Sequence, residues 1–115
     1  MLTIYHNPRC SKSRQTLEIV KQQSLAIEVI EYLKTPPSST ELQDLLTKLG
    51  MTPRQLLRTG EQAYKDLKLA TASVSDQQLI ETMCQHPKLI ERPIVVRGNL
   101  AVIGRPPERV RELLA

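Results

Sequence analysis

Leu2-Thr3-Ile4-Tyr5-His6-Asn7-Pro8-Arg9-Cys10-Ser11-Lys12-Ser13-Arg14 passes from an apolar, β-branched run, through a proline, into a polar basic segment with a cysteine at the change of character. The apolar run reads as a first strand, ended by Asn7-Pro8. A helix is expected over about 11–23, with Leu17, Ile19 and Val20, beside Thr16, on its buried face. Residues 26–32 read as a second strand, and Pro36-Pro37 forbid its continuation. Strand, helix and strand within about 30 residues have the size of a right-handed βαβ unit with parallel strands.

Beyond that unit the pattern changes to helices. Ser38 and Glu41 form a capping box before the Leu42, Leu45, Leu46, Leu49 stripe, and Gly50 supplies the stop. Pro53 opens a short helix through Leu56 and Leu57 to about Thr59-Gly60, and residues 61–68 add a turn or two. Ser75, with Gln78 three residues on, starts a helix that Pro87 ends. Residues 93–96 and 100–103 then read as an antiparallel hairpin around Arg97-Gly98-Asn99, and a last helix starts near Pro106-Pro107. The expected order is β-α-β, a helical insert over about 38–87, then β-β-α, in a single domain over residues 1–115.

The chain has 115 residues, with 16 Lys and Arg against 12 Asp and Glu, a formal charge of +4. The charge is uneven: residues 1–23 carry +3, residues 24–86 carry −2 and residues 87–115 carry +3. With no Trp, no Phe and 3 Tyr, the core is aliphatic and there is no set of stacking rings for single-stranded nucleic acid. The basic groups flank a thiol and do not line one recognition helix, so no nucleic-acid partner is expected. No stretch reaches the ~18 apolar residues of a membrane span, and His6, Pro8, Arg9, Cys10, Lys12 and Arg14 interrupt any signal-peptide core. The expectation is a soluble cytoplasmic protein without a membrane partner. Two cysteines, Cys10 and Cys84, are too few for a disulfide scaffold.

Cys10 falls where strand gives way to helix. Unpaired backbone N–H groups and the positive end of the helix dipole favour its thiolate, and Arg9, Lys12 and Arg14 act in the same direction. The same groups bind oxyanions, so a nucleophile and an anion cradle coincide. The alternative is an inert thiol beside solvated bases. A tyrosine-phosphatase loop needs an arginine six positions after the cysteine, where Thr16 stands; a dithiol motif needs a second cysteine at position 13, where Ser13 stands. A monothiol Cys-x-x-Ser remains, whose hydroxyl is able to donate to the thiolate. Cys84 reads as a helix-face core thiol and not as a resolving partner. His6 reads equally as a general base or as a strand-end histidine that caps a loop. No metal site is expected: Cys84 and His86 point about 200° apart on a helix, and no Cys-x-x-Cys knuckle is present.

Ile4-Tyr5-His6-Asn7-Pro8 with Cys10 and Ser13-Arg14, Tyr32-Leu33 with Pro36-Pro37-Ser38, Leu56-Leu57-Arg58, Gln85-His86-Pro87, Arg92-Pro93-Ile94-Val95-Val96 and Arg105-Pro106 occur in an order and spacing that resembles the glutaredoxin-dependent arsenate reductase family, ArsC-like. The Arg9-Cys10-Ser11-Lys12-Ser13-Arg14 run points to a related branch, since Ser11-Lys12 replace the usual Gly-Thr and Arg9 a small residue. The resemblance implies an α/β, thioredoxin-like core with a mixed sheet and an inserted helical segment. It implies that Cys10 attacks arsenic, that His6 and Ser13 tune the thiol, and that Arg58, Arg92 and Arg105 hold the oxyanion. Arsenate, or a similar small oxyanion, would be reduced to arsenite through a Cys10–sulfur–arsenic adduct, with glutathione as co-substrate, glutaredoxin as partner and no bound cofactor. Planar guanidinium forks suit those oxygens as they suit phosphate. The Arg92-Pro93 bond is expected to be cis, placing Arg92 next to Cys10. Rival readings are a glutathione-linked monothiol oxidoreductase and a non-enzymatic Spx-like regulator that binds RNA polymerase.

Overall fold

A computed structural model describes residues 1–23, 25–71 and 73–114. These divide into two compact units, Met1–Thr35 with Arg92–Ala115, and Pro36–Glu91.

The first unit is built on a four-stranded sheet of order β2-β1-β3-β4, from β1 (Leu2–His6), β2 (Ile27–Glu31), β3 (Ile94–Arg97) and β4 (Leu100–Ile103). β1 and β2 run parallel and are joined through α1 (Ser11–Lys21), the expected βαβ unit. β1 pairs antiparallel with β3, and β3 with β4, so the sheet is mixed and the core is thioredoxin-like. β1 alternates buried and half-buried residues, with Leu2 and Ile4 fully buried. They pack with Val20, Val95, Val110 and Leu113 into an aliphatic core.

The register decides where the site falls. Tyr5 pairs with Ile94, and Ile94 pairs with Ile103. The end of β1, the start of β3 and the end of β4 therefore lie side by side, bringing residues 6–10, 92–93 and 104–105 to one end of the sheet. Gly98, at φ +60°, makes the hairpin turn. Both Arg92–Pro93 and Arg105–Pro106 are cis; the sequence reading expects the first and passes over the second. The last segment is also less regular than expected, a 3-10 turn over Pro107–Val110 before a short α6 (Arg111–Leu114).

The second unit is helical: α2 (Ser39–Leu49), α3 (Pro53–Leu56), α4 (Gln62–Asp66), α5 (Asp76–Gln85) and a 3-10 turn at Pro87–Leu89. Ser38 and Ser75 each form a complete capping box, with Glu41 and Gln78. Thr52 with Gln55 is a third, at a helix too short for periodicity to reveal. Leu42, Leu45, Leu46, Leu56, Leu79 and Met83 are buried here. Among the described residues, no helix is long and apolar enough to cross a membrane.

Candidate active site at Cys10

β1 ends in a buried polar knot. Asn7 Oδ1 accepts the Arg9 N–H at 3.0 Å, and the Asn7 carbonyl accepts the Cys10 N–H at 3.0 Å, which folds the chain back at Pro8. Cys10 is thereby the N-cap residue of α1, in extended backbone geometry, with a half-buried side chain.

Its thiol makes no strict capping hydrogen bond, yet the environment favours the thiolate. Burial raises its pKa, but this is outweighed by the N–H of Ser13, the hydrogen bond and charge of Arg92, and the N–H of Lys12; the net result lies below the ordinary thiol value. Arg105 adds a second guanidinium, with Nη1 3.8 Å from Sγ and 3.3 Å from the Arg92 carbonyl oxygen. Cys10, Arg92 and Arg105 are thus brought together as expected.

His6 and Ser13 are paired with each other. Nδ1 of His6 lies 2.6 Å from Ser13 Oγ, and Ser13 Oγ also accepts the Asn7 N–H at 3.0 Å. This corrects one expectation: the Ser13 hydroxyl is committed to His6 and Asn7, and it is the Ser13 backbone N–H that acts on the sulfur. Ser13 is wholly buried, so its hydroxyl proton is best satisfied by donation to Nδ1, which leaves His6 neutral with its proton on Nε2. Burial drives the His6 pKa below its ordinary value; Glu31 opposes this, and Lys21 and Arg14 reinforce it. A buried, neutral histidine bonded to a serine reads as a prop for the first turn of α1.

Arg58 belongs to the helical unit. Its guanidinium binds Glu91 at 2.7 Å and approaches Glu61 at 3.4 Å, while the Arg58 backbone N–H donates to the Leu89 carbonyl at 2.7 Å. Cys84 also lies there, with a thiol pushed up by burial and by Glu41 and Glu81, the reverse of Cys10. Among the described residues, no three His, Cys, Asp or Glu side chains cluster to hold a metal ion.

The chain is similar over nearly its whole length to proteins of known sequence. The ArsC family matches residues 5–113, nearly the full length. The chain belongs to the ArsC family. This ArsC-family chain is 53% identical over 112 residues to the protein YfgD of Escherichia coli K12, covering 96% of this chain and 94% of that one. An arsenate reductase of Neisseria meningitidis is 40% identical, over 98% of this chain and 97% of its own. One from Escherichia coli is 46% identical, over 98% of this chain and 80% of its own. Among solved structures, an arsenate reductase from Vibrio cholerae matches at a TM-score of 0.93 and 50% identity, over 96% of this chain and 95% of that one.

Two residues at this ArsC-family site escape the sequence reading, which places Thr16 on the helix face and gives Gly104 no role. Both are buried, and Thr16 Oγ1 reaches the carbonyl of Gly104 at 3.3 Å. The signal present in the sequence is a glycine directly before Arg105-Pro106, where close packing against a neighbouring element excludes a side chain.

Proposed function

We propose that the protein is a thiol-dependent arsenate reductase, with Cys10 as nucleophile and Arg92 and Arg105 as the groups that neutralise the oxyanion. The observation that carries this is one half-buried sulfur served by two guanidinium groups and by N–H groups of the first turn of α1. It is supported by full-length similarity to proteins named arsenate reductase. Arsenate carries one to two negative charges at neutral pH, and charge-assisted bonds from arginine hold such tetrahedral anions.

In this reading the Cys10 thiolate attacks arsenic and a water leaves, giving a Cys10–sulfur–arsenic(V) bond. The thiol of glutathione condenses on the same arsenic with loss of a second water. A glutaredoxin thiol then takes the glutathione sulfur as a mixed disulfide. The two electrons of the broken sulfur–arsenic bond stay on arsenic, and the thiol proton goes to an arsenic-bound oxygen. Hydrolysis of the remaining Cys10–arsenic(III) bond releases arsenite and restores the thiol. The N–H groups and Arg92 that lower the Cys10 pKa make the attacking thiolate easier to form. Arg58 enters the proposal as a third anion-holding residue on family resemblance. Cytoplasmic location belongs to the same proposal, since the reaction draws on three reduced thiols, those of Cys10, glutathione and glutaredoxin.

The test is arsenite formation with arsenate, glutathione and glutaredoxin, run beside Cys10→Ser. Wild-type turnover with an inactive variant supports the proposal; equal inactivity of both, with a Cys10 that still titrates low, moves the reading to a glutathione-linked oxidoreductase. Among the described residues, Leu67 is the one exposed large hydrophobic of the helical unit, so a regulator that docks through that unit gains no support.

A further inference from the structure

The Arg105 guanidinium reaches Cys10 from a loop, and a loop arginine stays on target only if its backbone is fixed. Two contacts fix it. The Gly104 N–H donates to the Pro93 carbonyl at 2.9 Å, and Thr16, a fully buried residue of α1, shares its one hydroxyl proton between the Lys12 carbonyl at 2.8 Å and, as the longer arm, the Gly104 carbonyl at 3.3 Å. The Gly104 oxygen belongs to the peptide that carries the Arg105 nitrogen. Holding it therefore sets the plane from which the Arg105 side chain departs.

The packing is close enough to exclude any side chain at position 104. A Cβ there would come within 2.9 Å of both Pro93 Cγ and Thr16 Cγ2, and nearer still to Thr16 Oγ1. Gly104 is thus clamped between α1 and the proline that follows Arg92. Thr16 stands six positions after Cys10, where a phosphatase-type loop would carry its own arginine; here that position holds the peptide of an arginine supplied by another segment.

We propose that Thr16 is a positioning residue for Cys10: by tying the Gly104–Arg105 peptide to the helix that carries the thiol, it keeps the Arg105 guanidinium at the sulfur. The proposal rests on the reading of Cys10 as the reactive group, and not on the identity of the oxyanion. It is tested by the rate of Cys10 alkylation with iodoacetamide between pH 5 and 10, read on the Cys10 peptide by mass spectrometry so that Cys84 does not contribute. Thr16→Val keeps the shape and removes the hydroxyl; Thr16→Ala does so without overfilling the site; Thr16→Ser keeps the hydroxyl.

At pH 7, Val and Ala are expected to slow alkylation by about threefold to tenfold, the scale of one partly solvated charge leaving a thiolate, and to move the profile to higher pH. Ser is expected to stay near wild type. Arg105→Ala alone should move the profile in the same direction, and Thr16→Ala should add nothing to it. Folded Val and Ala variants with a wild-type profile overturn the proposal, as does an undiminished Thr16→Ala shift in the Arg105→Ala background or no shift from Arg105→Ala. Arsenate and glutathione are absent from this assay, so a protein that does not reduce arsenate would leave the result standing.

Discussion

Ser13 shows how a residue's type is readable while its partner is not. A hydroxyl three positions after the cysteine reads as a thiolate donor, yet burial of the knot at the end of β1 gives it to His6 and Asn7. Ser13→Ala would leave the Asn7 N–H and His6 Nδ1 buried without that partner, and is expected to cost about 1–3 kcal/mol of stability by urea unfolding. His6 gives a pH prediction with a definite sign. Its folded pKa is lowered, chiefly by burial, so near pH 6.5 the unfolded chain binds the proton that the folded chain refuses. The contribution of His6 to stability is whole above about pH 6.5 and is lost as pH falls from there through the lower folded value. Urea midpoints between pH 8 and 5 should fall on the acid side in wild type and fall less steeply in His6→Gln; equal slopes would remove His6 from the account. Cys10 was legible because a thiol among basic residues stands where strand gives way to helix; Arg92 and Arg105 came from the family resemblance, and the structure brings both beside the sulfur. Thr16 was not legible, since an isolated threonine on an apolar helix face carries no such mark.

At the scale of elements, the helices that begin with a side-chain cap were the clearest in the sequence. Ser38 and Ser75 each accept from the N–H three residues on. Ser38→Ala and Ser75→Ala are each expected to lower stability by about 1 kcal/mol, measured by thermal or urea unfolding, with Cys10 alkylation unchanged. The βαβ unit and the hairpin were each legible, but the joining of the two into one sheet through β1 and β3, with its exact register, was not. It depends on cross-strand pairs such as Tyr5 with Ile94, which no local pattern specifies. Gly104 belongs to this scale. Gly104→Ala is expected to destabilise by about 1–3 kcal/mol, because a methyl group would meet Thr16 and Pro93 at contact distances that the packed end of the sheet has no room to relieve. A variant as stable as wild type would show that the two elements part easily there.

Over the whole molecule, the charge pattern now has an address. The unit formed by residues 1–35 and 92–115 carries ten basic against five acidic residues, +5, and the helical unit of residues 36–91 carries six against seven, −1. The two basic ends of the chain share one compact unit, so the net positive charge lies in the unit that carries Cys10. The family resemblance anticipated this, since a thioredoxin-like core puts the βαβ unit and the hairpin in one sheet. Sequence reading stopped at Arg58, whose salt bridges to Glu91 and Glu61 depend on the tertiary packing of the helical unit. The central claim, that one small oxyanion is held by the arginines at the Cys10 sulfur, is tested most directly by asking whether arsenate shields that sulfur. Cys10 alkylation at pH 7 is followed against arsenate concentration in wild type and in Arg92→Ala. Saturable protection in wild type, with the half-protecting concentration raised by the equivalent of about 1.5–3 kcal/mol in the variant, is the predicted result. Alkylation indifferent to arsenate in the wild-type protein would contradict it.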